Sequence, residues 1–189
     1  MLRIQEYLRK NRNLDELLSL FGVSYKRSVK NPSLILLKYD LIEALKNPSS
    51  DYVRESRGLI LDESDNFKVV AFPFKRFFNH GESCADKINW NDCKVLEKLD
   101  GSLCILYFYN NCWNFSSSGD PDASGFVGSF NFSFYDLMKK TFENQYGKNI
   151  YEKLNPNYTY IFELTSPYNK IVVPYSESKM TLIGVRDLS

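Results

Sequence analysis

Between residues 2 and 21, Leu2, Ile4, Tyr7, Leu8, Leu14, Leu17, Leu18, Leu20 and Phe21 stand among charged neighbours at the spacing of a helix face. The pattern predicts one or two short amphipathic helices ended at Gly22, within a helical N-terminal part covering residues 1–32. Residues 33–39 then read as a strand, and 40–46 as a short helix stopped before Pro48. Apolar runs at 58–62 and 67–72 flank a polar turn at 63–66, a strand, turn, strand pattern. A second hairpin is predicted at 102–109 and 112–117, because Asn110 and Asn111 between them tolerate positive φ. Residues 130–146 read as a helix with Phe134, Leu137, Met138, Thr141 and Phe142 on one face. Three further strands are expected at 158–164, 171–174 and 180–185. There is no internal repeat, low-complexity tract or linker, so residues 1–189 are expected to form one strand-dominated α+β domain with helices on its faces.

Composition adjusts this picture only slightly. Apolar residues make up 43% and charged residues 25%, enough for a core and too balanced for disorder. The net charge of +1 provides no global basic field, so any contact with a polyanion must come from a local cluster. Lys26, Arg27 and Lys30 form one candidate cluster, and Lys75 with Arg76 forms another; both read equally as solvated loops. Four cysteines form no CxxC pair and His80 is the only histidine, which argues against a zinc site or a Ser-His-Asp triad. Residues 1–10 are polar and periodic without the apolar core of a secretory signal, and no apolar run is long enough to span a bilayer. The expectation is a cytoplasmic chain (host cytoplasm if viral) with reduced thiols and no membrane partner.

The sharpest local feature is Val95-Leu96-Glu97-Lys98-Leu99-Asp100-Gly101-Ser102, an apolar pair leading into a lysine and a turn that opens the next strand. A lysine nucleophile must lose its proton near neutral pH, which requires its pKa to fall by roughly 2 to 3 units from about 10.4. Neighbouring cations and burial supply such shifts. Lys-x-Asp-Gly alone is a weak signal, since Asp-Gly turns are common. Other segments sharpen it. Arg57-Gly58 precedes a strand, and Phe74-Lys75-Arg76-Phe77-Phe78-Asn79 follows the next one. Later come Phe162-Glu163-Leu164-Thr165-Ser166-Pro167 and Asn169-Lys170-Ile171-Val172-Val173. Glu163 lies within an apolar strand, where an unpartnered carboxylate is costly, so it should meet a cation, a metal or a ribose hydroxyl.

In this order the segments resemble the phage-type ATP-dependent RNA ligase family, whose archetype is the tRNA-repair enzyme of the T-even bacteriophages. The likeness runs from about Tyr39 to Arg186. It implies an antiparallel-sheet-rich nucleotidyltransferase (adenylation) domain, with ATP and Mg2+ (or Mn2+) as cofactors and RNA ends, 5′-phosphate and 3′-hydroxyl, as partners. By the same resemblance Lys98 is the nucleophile that takes up AMP, while Asp100 and Ser102 hold its turn and Gly101 is a close-approach residue. Glu97 would contact the adenine edge and Arg57 the ribose and phosphates. Arg76 stands where the archetype has a phosphate-binding lysine, and Phe78 would pack near the base. Glu163 would serve the ribose or a metal-bound water, and Lys170 is a basic position of the site. Two departures accompany the match. Ser116-Ser117-Ser118-Gly119 replaces a Lys-x-Lys-Gly pattern. The family's downstream Glu-Gly and Lys-x-Lys motifs would lie beyond Arg186, so residues 1–189 read as truncated before the last two motifs and dependent on a C-terminal domain or partner chain for full self-adenylylation. Two other outcomes share these residues: a nucleotidyltransferase with another acceptor, and a degenerate module that binds nucleotide or RNA without catalysis.

Overall fold

In the computed structural model, which describes residues 1–189, α1 (Arg3–Asn11) and α2 (Leu17–Phe21) lay Ile4, Leu8 and Leu17 against one face of a sheet. That sheet is an antiparallel meander of β1 (Val23–Arg27), β2 (Leu34–Tyr39), β3 (Arg57–Asp62) and β4 (Lys68–Ala71). The short helices α3 (Leu41–Lys46) and α4 (Asp51–Glu55) occupy the connection from β2 to β3. Asp40 caps α3 by accepting from the Ile42 and Glu43 amides at 2.9 and 3.1 Å. A second antiparallel sheet runs in the order β6 (Cys112–Ser117), β5 (Ser102–Tyr109), β7 (Tyr158–Thr165), β8 (Lys179–Asp187). Its outer face carries α5 (Phe134–Tyr146), whose Leu137, Met138 and Phe142 pack on Cys104, Leu106, Phe162 and Leu164.

Strand alternation explains the layering. On β2 and β3, Ile35, Leu37, Leu59 and Leu61 meet the helices, while Leu34, Leu36 and Ile60 meet Ile105 and Tyr107 of the second sheet. Both sheets therefore bury two faces, giving a helix, sheet, sheet, helix stack. No helix is long and apolar enough to cross a membrane.

The structure departs from the expected elements in three places. Residues 23–27 fall in the expected helical part but pair with β2, and only Val23 of that strand is buried, so it carries no hydrophobic alternation. Helix α5 begins at Phe134 rather than at 130, because Ser133 accepts from the Asp136 amide and Asp136 accepts from the Ser133 amide. No strand forms at 171–174: the Val172 and Val173 amides are spent on the Asp100 carboxylate, at 2.7 and 2.6 Å, instead of on a ladder. Between the sheets, residues 72–101 run without helix or strand, and Lys98 lies near the end of this stretch, ahead of β5.

Candidate functional site

A slip in register aims the first residues at the site. Between β2 and β3, Leu37 pairs with Leu59, but Lys38 pairs with Arg57, so Gly58 is passed over. In unbroken alternation Arg57 would join Leu59 and Leu61 on the helix-covered face. The bulge turns it to the other side, opposite Lys38, which follows Leu34 and Leu36 on the face between the sheets. Gly58 holds φ +88°, and a Cβ there would stand 3.0 Å from Ile105 Cδ1 and 3.1 Å from Ser118 Cα.

The second sheet brings the carboxylate. Glu163 on β7 pairs with Leu103 on β5 and is half-buried. Its Oε1 accepts from the Gly101 amide at 3.1 Å. A side chain at Gly101 would run into the Leu164 carbonyl, so the glycine is needed first for this close strand contact. Burial pushes the Glu163 carboxyl up from its ordinary value, opposed by the Gly101 N–H and by the Lys98 and Arg57 charges, and assisted by Asp100.

These groups share a cleft of about 600 Å³, into which Lys38, Arg57, Lys98, Gly101, Ser102 and Glu163 project from one side. The turn after β6, from Ser117 to Asp120, forms the other side. Lys98 is exposed, so burial, one of the two expected means of activating it, is missing; Arg57 lines the same cleft. The Arg57 guanidinium lies 4.9 Å from the Phe77 ring centroid, and its Nη1 is buried without a hydrogen-bond partner. Ser102 Oγ accepts from Asn169 at 2.6 Å, and Asp100 joins the 172–173 amides and Tyr175 to the turn that follows Lys98. Those two amides, ahead of a small opposing effect of burial, hold the Asp100 carboxyl below its usual range.

Five expected residues do not line this cleft, Asp100 among them, its carboxylate held by the 172–173 amides. Glu97 and Lys170 are exposed and do not line it. Arg76 and Phe78 line a separate cavity of about 280 Å³, where Arg76 donates to the Ala44 carbonyl at 2.8 Å and lies over the Tyr39 and Phe78 rings. The backbone bond from Arg76 to Arg54, at 2.9 Å, fixes this placement and leaves Phe77, not Phe78, against Arg57. Neither basic cluster offers a free patch either. Lys26 pairs with Asp120, Arg27 with Glu63 and Lys75 with Glu55, while Lys30 lies over the Tyr135 ring. A further cavity of about 790 Å³, between α5 and residues 167–179, holds none of the expected residues. Sequence reasoning missed Lys38, Phe77 and Asn169; the polar break ending the run Leu34-Ile35-Leu36-Leu37 was the available signal for the first.

Residues 55–189 match the family model described as RNA ligase. The chain is 32% identical over 162 residues to an RNA ligase of Rhodothermus phage RM378, a match covering 70% of this chain and 37% of that protein. It is 32% identical over 192 residues to a protein of Autographa californica nuclear polyhedrosis virus whose name joins a polynucleotide kinase to an RNA ligase, covering 94% and 27%. It is 25% identical over 174 residues to RNA ligase 1 of bacteriophage TS2126, covering 86% and 41%. The chain thus spans about a quarter to two-fifths of the length of these relatives.

Proposed function

This chain belongs to the RNA ligase family, and on that premise we propose that its cleft takes up ATP and that Lys98 becomes covalently adenylylated. The neutral Nζ of Lys98 attacks the α-phosphorus in line with the leaving pyrophosphate. An N–P bond forms, the bond to the β-phosphate oxygen breaks, and the proton shed by the amine passes to solvent. The AMP then moves to the 5′-phosphate of an RNA end, and the 3′-hydroxyl of a second end displaces it as the strand is sealed. The observation that carries this reading is the meeting of Lys98, Arg57 and Glu163 on one cleft, from a loop and two different sheets. A neighbouring cation favours the neutral form of a lysine amine and also neutralises charge on the phosphates. Glu163 holds the Gly101 amide, and so the turn carrying Lys98, and its second oxygen is free for a ribose hydroxyl or a metal-bound water.

No group of three or more His, Cys, Asp or Glu side chains gathers anywhere in the chain to cage a metal ion. One half-buried carboxylate beside a phosphate site fits Mg2+ that arrives with the nucleotide and keeps most of its waters. Such an ion would neutralise charge on the phosphates. RNA ends as acceptors follow from the family, with 5′-phosphorylated RNA the first acceptor to try and DNA the comparison.

The test is intact-mass analysis under denaturing, non-acidic conditions after incubation with ATP and Mg2+, alongside calorimetric titration of ATP. We expect a Lys98-linked AMP, absent in Lys98→Ala. An adduct that persists in Lys98→Ala overturns the site. Binding of ATP with no transfer in either form indicates a nucleotide-binding module.

A further inference from the structure

We propose that Lys38 grips the phosphate chain of the bound nucleotide, supplying positive charge from the first sheet beside a turn after β6 that carries no cation of its own. The inference rests on the reading of the cleft as an ATP site. Three observations carry it.

First, Lys38 and Arg57 are direct cross-strand partners. Like charges opposite one another on antiparallel strands repel, and here no carboxylate sits between them: neither takes part in any of the chain's ion pairs. The nearest acid on the facing turn, Asp120, is already held by Lys26 at 2.8 Å. Lys98 adds a third cation, against Glu163 as the cleft's one carboxylate outside an ion pair. An arrangement this unfavourable when empty is favourable once an anion with several charges enters it.

Second, a donor is already in place without an acceptor. Arg57 Nη1 is buried and makes no hydrogen bond, an unpaired donor on a residue that lines the same cleft as Lys38.

Third, Lys38 reaches across the cleft to the turn after β6. A Cβ on Gly119 would stand 3.2 Å from Lys38 Nζ, 3.4 Å from Cδ and 3.7 Å from Cε. The lysine therefore occupies the space that a side chain at 119 would take, and its ammonium lies beside Gly119, in a turn whose one charge, Asp120, is paired with Lys26.

The test is calorimetric titration of the chain with Mg-ATP, inorganic pyrophosphate and adenosine. Lys38→Ala should weaken ATP and pyrophosphate binding by about tenfold or more, the scale of one charge-assisted contact. It should leave adenosine unchanged. Lys38→Arg should restore most of the affinity, and Lys153→Ala should do nothing. Gly119→Ala, which presses on the ammonium without removing it, should have a smaller effect that vanishes in the Lys38→Ala background. Thermal melts confirm that each variant is folded. If the parent binds both phosphates and Lys38→Ala binds them equally well, the role of Lys38 is refuted while the ATP reading stands. If the parent binds neither, both are refuted. If pyrophosphate binding depends on Lys38 but no AMP ever reaches Lys98, Lys38 is a phosphate ligand and the ligase chemistry fails.

Discussion

Glu163 combines two demands that pull its charge in opposite directions. Burial disfavours the ionised carboxylate, whereas the Gly101 amide, Lys98 and Arg57 favour it, and burial prevails. With the folded value raised, the contribution of Glu163 to stability is fully present below its unfolded value, near 4.3, and is lost as pH rises through the folded one. Ionisation at neutral pH thus works against the fold. Glu163→Gln keeps an oxygen for the Gly101 N–H and removes the charge. It should therefore melt no lower than the parent at pH 8, with the difference shrinking or reversing near pH 4, while AMP transfer to Lys98 is lost. A variant that melts well below the parent at pH 8 would show that the carboxylate is there to stabilise the fold through ion pairing. Asp100 is the opposite case: its carboxylate accepts two amides from the 172–173 segment and stays below the usual range, so its hold on that segment is present at neutral pH and is lost only as pH falls through the lowered value.

At the level of elements, what was legible in the chain was whatever local chemistry decides. The Asn110-Asn111 hairpin formed with φ of 49° and 57° at its two turn residues, and Asp40 capped the short helix it precedes. The start of α5 was also legible in principle, since Ser133 followed by Asp136 is a capping box, but the aromatic run from Phe130 masked it. Residues 171–174 have the composition of a strand, yet a side chain 72 and 73 positions earlier in the chain claimed the Val172 and Val173 amides; that side chain is Asp100, and periodicity carries no trace of it. The placement of Arg57 and Lys38 together was hidden for a similar reason, because it depends on a cross-strand register. Gly58 is the device that sets that register. Gly58→Ala, forced into φ +88° and against Ile105 and Ser118, should cost about 1 to 3 kcal/mol in urea unfolding and weaken ATP binding beyond the loss of stability. An alanine variant as stable as the parent would mean that the register tolerates a side chain there.

Across the whole molecule, the two banks of the cleft are built differently. On one, Asp120 takes amides from residues 122 and 124 on its carboxylate and from 117 and 123 on its carbonyl, and pairs with Lys26. Beside it Asp122 accepts from Ser28 Oγ and the Val29 amide, both at 2.6 Å, tying this bank to the first sheet. On the other bank, residues 94–99 donate and accept no hydrogen bonds within the chain, and Val95 and Leu96 are 91% and 81% exposed. Hydrogen exchange should find the amides of 94–99 close to unprotected rates and those of 117–124 slowed by orders of magnitude; equal protection of both banks would contradict the contrast. Lys98 stands on the loose bank. Whatever docks first must therefore spend part of its binding energy quieting that strip of chain, and the next arrival finds it already still. Two successive guests can thus help one another without ever touching, through lost motion alone.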